Sequence, residues 1–226
     1  MSYVDAWFKR DDDVIKIVER NKKGEREFRD IPVKHTFYVK DPRGKHQSIY
    51  GDALTRIVCK NTKELRKEQA INSSKELFES DINPIFVTLS EHYLNQDPPK
   101  LNVAFFDIEV DFDPERGYST PDDAFMPITS IAVHLQWLET LICFAVPPKT
   151  LTWDQAQEEI KEFPNTVLFK TEGEMLDAFL DLIQDADILT GWNSEGYDIP
   201  YTVNRVTKVL SKDDTRRFCL FDQFPK

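Results

Sequence analysis

Cysteine is scarce in this chain. Cys59, Cys143 and Cys219 lie far apart and form no Cys-x-x-Cys pair. They argue against a zinc ribbon and against the disulfide framework of a small secreted domain. Histidine is equally thin on the ground: His35, His46, His92 and His134 show no metal-ligand spacing, which disfavours a histidine-centred metal site or hydrolase. No apolar stretch approaches the ~20 residues that a bilayer-spanning helix needs. Met1-Ser2-Tyr3-Val4-Asp5 runs into charged residues without the apolar core of a signal peptide. These absences lead to the expectation of a soluble, cytoplasmic protein with no membrane partner.

Charge is present in quantity but unevenly. The 226 residues carry a formal charge of −11, and 40% are hydrophobic, enough for one or two cores. Residues 1–100 hold 19 Lys and Arg against 17 Asp and Glu, a net +2, whereas residues 101–226 hold 10 against 23, a net −13. A duplex binder needs a basic surface to meet phosphates. A nuclease that works through bound cations can be acidic, because the ions invert the local charge. An acidic half is also simply a common kind of soluble surface.

One stretch departs from every bland pattern. Leu101 to Phe106 is a nearly unbroken apolar run after Pro98-Pro99, and it reads as a central strand buried on both faces. Strand alternation then places Asp107 and Glu109 side by side on one face. Two adjacent carboxylates in a core strand repel each other and lose hydration, so they call for a neutralising partner. Oxygen ligands alone suit Mg2+ or Mn2+. The alternative is a strand that ends at Phe106, leaving both acids in water.

A second signal comes about ninety residues later. Ile188-Leu189 leads into Gly191-Trp192-Asn193-Ser194-Glu195-Gly196-Tyr197-Asp198-Ile199-Pro200-Tyr201, which reads as a strand, a tight turn and a helix. Asp198 falls at the helix N-terminus, where an acid also serves as an N-cap. Asp-Ile-Glu at a strand end followed by Asn-x-x-x-Tyr-Asp resembles the first and second exonuclease motifs of B-family DNA polymerases. The phrase from Leu189 to Tyr201, with Asn204-Arg205-Val206 after it and Trp7-Phe8-Lys9-Arg10 near the start, is most similar to the replicative polymerases of T4-like tailed bacteriophages.

The rest of the chain supplies a frame. Val14–Val18 and His35–Val39 are expected as strands, with turns at Asn21–Gly24 and Asp41–Gly44. Residues 61–93 are expected to be helical, capped by Asn61 or Thr62. Asn95–Pro99 reads as a linker, giving domains at 1–100 and 101–226. Asp111–Met126 suits a mobile loop, and Phe112 or Tyr118 within it could stack on a base of a single strand or fill a local core. Ile128–Leu135 and Leu141–Val146 extend an antiparallel meander. Asp154–Phe163 and Glu172–Gln184 are helical by period around the strand Val167–Phe169, and the Ile188 strand should lie parallel to Leu101–Phe106. The fold class is therefore α/β, or α+β.

The resemblance implies more: a β-rich amino-terminal polymerase domain, then an incomplete ribonuclease-H-like 3′–5′ exonuclease domain with a mixed sheet. It implies two-metal hydrolysis of single-stranded DNA. Asp107 would bridge both ions, Glu109 would bind the ion carrying the attacking water, and Asp198 would hold the other. Asn193 and Tyr197 match motif positions near the departing nucleotide. The family's third motif, Tyr-x-x-x-Asp, has no counterpart. Phe218-Cys219-Leu220-Phe221-Asp222 has the spacing without the Tyr, and only 28 residues follow Asp198. The expected partners are single-stranded or primer-template DNA, and either a carboxyl-terminal polymerase part or a second copy of the chain. A noncatalytic nucleic-acid or assembly module with the same fold is the competing expectation.

Overall fold

Alternating β-branched and charged residues begin the chain as an antiparallel sheet. In the computed structural model, which describes residues 2–225, β1 (Ser2–Lys9), β2 (Val14–Arg20) and β3 (Arg26–Pro32) pair in sequence order. Asn21 makes the β2–β3 turn by accepting the N–H groups of Lys23 and Glu25 on its side-chain oxygen. Gly24 takes the left-handed conformation there at φ +84°. Ile15 and Ile17 point inward with Val33 and Tyr93 to form a small core.

A second sheet follows from β4 (His35–Lys40), β5 (His46–Gln47) and β6 (Ala53–Cys59), with Phe37, Val39 and Cys59 buried beneath it. Residues 61–93 are not one helical region. They form α1 (Thr62–Ile71), the two-residue strand β7 (Leu77–Phe78) and α2 (Pro84–Tyr93). Asn61 caps α1 by accepting the Glu64 N–H at 2.8 Å. Asn72-Ser73-Ser74 ends α1, and Pro84 in the first turn of α2 starts the next helix. Between them β7 joins Tyr38 and Val39, completing the order β5-β6-β4-β7.

The chain divides by internal contacts into residues 1–100 and 101–226. The second unit is built on β8 (Val103–Val110), β9 (Ile128–Leu135), β10 (Thr140–Ala145), α3 (Trp153–Glu159), β11 (Thr166–Leu168), α4 (Glu172–Leu182), β12 (Ile188–Thr190) and α5 (Asp198–Val209). β8, β9 and β10 form an antiparallel meander, while β11 and β12 add parallel strands at the two edges, in the order β11-β10-β9-β8-β12. The sheet is mixed. The β8–α5 arrangement puts the carboxyl end of β12 and the start of α5 beside the middle of β8.

The expectation of a strand buried on both faces fails for β8. Ala104, Phe106 and Ile108 are buried with Met175, Leu176, Phe179 and Leu180 of α4 and Tyr201 and Val206 of α5. Phe105, by contrast, is 44% exposed, and Asp107 and Glu109 share its open face. The reason is that α4 and α5 both contribute to one core on one side of the sheet, so an apolar run with no alternation still alternates in burial. The strand continues to Val110, so it does not end at Phe106.

In the first unit Glu19 is a buried carboxylate, and the Tyr93 hydroxyl donates to it at 2.5 Å. Burial first, then the hydrogen bond to Glu19 and its charge, push the Tyr93 phenol up to about 12. The folded state therefore keeps its proton where an unfolded tyrosine, near 10, loses it. This contribution to stability is full below pH ~10 and is lost as pH rises through about 12. Urea unfolding midpoints across this range should fall more steeply for the parent chain than for Tyr93→Phe.

Candidate active site

Everything at this site hangs on how α5 begins. β12 ends at Thr190, opposite Phe105, so the ladder on that side of β8 stops short of Ile108. The Ile108 N–H is met instead by a side chain: it donates to Asp198 Oδ1 at 3.2 Å. Asp198 is 4% exposed and is the first residue of α5. Tyr197 holds the N-cap position and makes no side-chain capping bond. The acid thus spends its oxygen on the neighbouring strand, between Asp107 and Glu109, and does not serve as the helix cap.

The turn that delivers Asp198 is sterically exact. A Cβ on Gly191 would stand 2.2 Å from the Phe106 carbonyl oxygen, so only glycine permits this approach of the turn to β8. Asn193 sits at φ +52°, a left-handed conformation that Asn tolerates better than most residues. Its carbonyl accepts the N–H groups of Gly196 and Tyr197 at 2.9 and 3.1 Å, closing the turn.

Burial drives the Asp198 carboxyl above the usual carboxylate range. The Ile108 N–H opposes that rise, and the negative charge of Asp107 adds to it. Asp198 accepts the N–H of Ile108, the residue next to Asp107, and both acids offer only oxygen. A buried acid met only by the backbone N–H groups of Ile108 and of Asp198 itself, and repelled by another carboxylate, fits a hard divalent cation, which would relieve both the repulsion and the lost hydration.

The expected three-acid group is not assembled. Among the described residues no three His, Cys, Asp or Glu side chains stand close enough together to hold a metal ion. Glu109 shares the face of Asp107 but lies two strand positions further on, about 7 Å along β8. The register of β8 against β9 also shifts immediately after Glu109. The Phe218–Asp222 pseudo-motif is spent elsewhere: Phe218 packs against the core and Asp222 lies near Arg216.

The loop after β8, expected to be mobile, is fastened along α5. Tyr197 OH donates to the Ser119 carbonyl at 3.2 Å, Tyr201 OH to Met126 at 2.8 Å and Asn204 Nδ2 to Pro121 at 2.7 Å. Arg205 Nη1 donates to Ala124 at 2.9 Å, while its other nitrogens hold Glu172. Lys208 reaches the Asp123 carbonyl. Tyr197 is therefore occupied by the loop, and its hydroxyl is not turned to open solvent. Phe112 (49% exposed) and Tyr118 (86% exposed) face each other with ring centroids 5.1 Å apart. They do not fill a core.

Several residues of this neighbourhood escaped the sequence. Gly191 and the Ile108 N–H act through backbone approach, which no motif displays. Trp192 stands 93% exposed in the turn. The stripe Tyr197, Tyr201, Asn204, Arg205, Lys208 was in principle visible, since steps of 4, 3, 1 and 3 lie on one helical face.

Comparison with known proteins agrees with the motifs. The family described as DNA polymerase family B, exonuclease domain, matches residues 54–225. The DNA-directed DNA polymerase of Escherichia phage RB69 is 26% identical over 221 residues, which cover 86% of this chain and 24% of that protein. That of Enterobacteria phage T4 is 36% identical over 67 residues, covering 29% and 8% respectively. The DNA polymerase catalytic subunit of Saimiriine herpesvirus 2 (strain 11) is 28% identical over 118 residues, covering 50% and 11%. The chain spans about a quarter of the RB69 protein's length.

Two outcomes follow from the geometry. Gly191→Ala should lower stability by at least about 1–3 kcal/mol in urea unfolding, because the obstructing atom is a backbone oxygen. For Asp198 the sign is set by its raised folded pKa. The folded parent holds the proton more tightly than the unfolded chain, so its stability falls as pH rises from the ordinary Asp range, near 3.9. Without divalent cations at pH 7, Asp198→Asn should then unfold at higher urea than the parent, and the gap should close below pH ~4.

Proposed function

Because the chain belongs to the exonuclease-domain family of B-family DNA polymerases, we propose that residues 101–226 are part of a 3′–5′ proofreading nuclease of ribonuclease-H-like fold. Residues 1–100 are, on the same reading, the amino-terminal domain of a phage-type replicative DNA polymerase. The observation that carries this is the bond from the Ile108 N–H to Asp198, which joins the second motif to the first at the residue between Asp107 and Glu109.

Asp107 and Asp198, with Glu109 two strand positions on from Asp107, are the residues proposed to hold divalent cations, Mg2+ or Mn2+, whose coordination would be completed by water and substrate oxygens rather than by a closed three-acid cluster. When bound, such ions supply an activated water and stabilise the leaving 3′ oxygen. The chain's own residues do the rest. β8 presents Asp107 and Glu109 on an open face, where a strand can approach. Asp198 is withdrawn from water, which strengthens its attraction for a cation. Asn193 shapes the turn beside the proposed 3′ end, and Tyr197 fixes the adjoining loop. The Phe112–Tyr118 ring pair offers a sequence-tolerant stacking surface for unpaired bases. That pairing of an acidic site with exposed rings favours single-stranded DNA over duplex.

The partners follow from the same reading: the 3′ end of a primer strand, and further polymerase domains such as the longer relatives carry. The test is removal of nucleotides from a 3′-ended single-stranded DNA with Mg2+ or Mn2+, by the chain alone and with a downstream polymerase segment supplied. Cation-dependent loss, reduced more than ~100-fold by Asp107→Ala or Asp198→Ala, is expected, since even outer residues of a metal site are worth 10–100-fold. DNA binding without release under both conditions would favour the noncatalytic module.

A further inference from the structure

One face of α5 carries polar groups whose hydrogen bonds neither the acids nor the core packing explains. Five side chains on it donate to carbonyls of residues 119–126: Tyr197 to Ser119, Tyr201 to Met126, Asn204 to Pro121, Arg205 to Ala124 and Lys208 to Asp123. The loop is prepared to receive them. Asp123 accepts the Ser119 hydroxyl and the Thr120 N–H, and the Ser119 oxygen accepts the Phe125 N–H. Ala124 is fully buried at φ +32°, a conformation costly for alanine, which persists only where its surroundings over-determine it.

The loop in turn is anchored to β8 and β9. The Asp111 N–H donates to the Pro127 carbonyl at 3.0 Å, one residue beyond the end of β8. Glu172, held by Arg205, accepts the Ile128 N–H at 2.8 Å at the first residue of β9. A continuous path of hydrogen bonds therefore runs from the strand bearing Asp107 and Glu109, through the loop, to the helix bearing Asp198. Asn204 is the cleanest member of that path. It lies six residues, about 9 Å, along the helix from Asp198, and its side-chain amide donates to the Pro121 carbonyl at 2.7 Å.

We propose that the loop of residues 119–126 is a splint that fixes the rotation and advance of α5, and that Asn204 is a positioning residue holding Asp198 against the Ile108 N–H. The inference rests on the proposed role of Asp198 as a cation ligand only for its functional consequence. Its structural content stands apart: with the splint loosened, the Asp198–Ile108 bond opens more often while the core stays closed.

The experiment is amide hydrogen exchange by NMR on the full chain, with Mn2+ affinity measured in parallel. Asn204→Asp keeps the size but cannot donate to the Pro121 carbonyl. It is expected to speed exchange at Ile108 by up to about tenfold, the worth of one net hydrogen bond, relative to the core amides of Ile131 and Val133. Asn204→Gln, which retains an amide donor, should restore part of the protection. Mn2+ binding should weaken several-fold in Asn204→Asp and recover in Asn204→Gln. Equal acceleration at Ile108, Ile131 and Val133 would mean a merely global loss of stability and would overturn the proposal, as would unchanged exchange at Ile108. Selective exchange at Ile108 in a parent chain that binds no Mn2+ would sustain the splint and sink the cation-ligand reading instead.

Discussion

A single carboxylate withdrawn from water organises the second unit. Asp198 is costly to bury, and the fold accepts that cost at the one place where β8 has an N–H that its neighbour strand does not reach. The bond joins residues ninety positions apart in sequence. It constrains the turn at Gly191, which must pass under the Phe106 carbonyl, and the first residue of α5, which must point back at the strand. A bond of this kind contributes little net stability by itself. Its value lies in bringing a second negative charge up to Asp107, an arrangement that a well-packed apolar substitute would make more stable and chemically inert.

The same geometry explains why the sheet is one-sided. α4 and α5 share a core with Ala104, Phe106 and Ile108, so the alternate residues of β8 are left for the open face. The acids at 107 and 109 inherit that exposure. Had the strand been buried on both faces, Asp107 and Glu109 would have needed enclosed partners. Exposure of the acids on β8 and burial of the acid on α5 are therefore complementary: two carboxylates stand open to solvent and the third is withdrawn from it.

Much of this frame was legible in the residues. Polar punctuation and period placed β8, β9, β10, α4, β12 and α5 in the right order, and the parallel pairing of β12 with β8 follows from the helical crossover between them. What the residues concealed has identifiable causes. Leu101–Phe106 is apolar at every position, so its composition carries no record of which face the helices cover. β7 is two residues long, too short to announce itself inside a stretch of helical character. The left-handed Asn193 and the close approach at Gly191 are backbone facts, visible only when the turn meets the strand. The incomplete acid group is a matter of strand advance: alternation gives Asp107 and Glu109 a common face but does not make them equidistant from a third residue.

The loop after β8 shows where polarity misleads. Asp111–Met126 is rich in Asp and Pro, which usually marks a mobile connection. Part of its order is internal, through Asp113, Ser119 and Asp123, but its attachment comes from outside: α5 supplies the donors, and the loop meets them with carbonyl oxygens, which every sequence possesses. Composition therefore describes what a loop can do alone, while its mobility depends on whether an adjacent element presents donors at the right spacing. Here the helix that carries the buried acid is also the one that presents them, so the bond that places Asp198 and the bonds that order residues 119–126 start from one element.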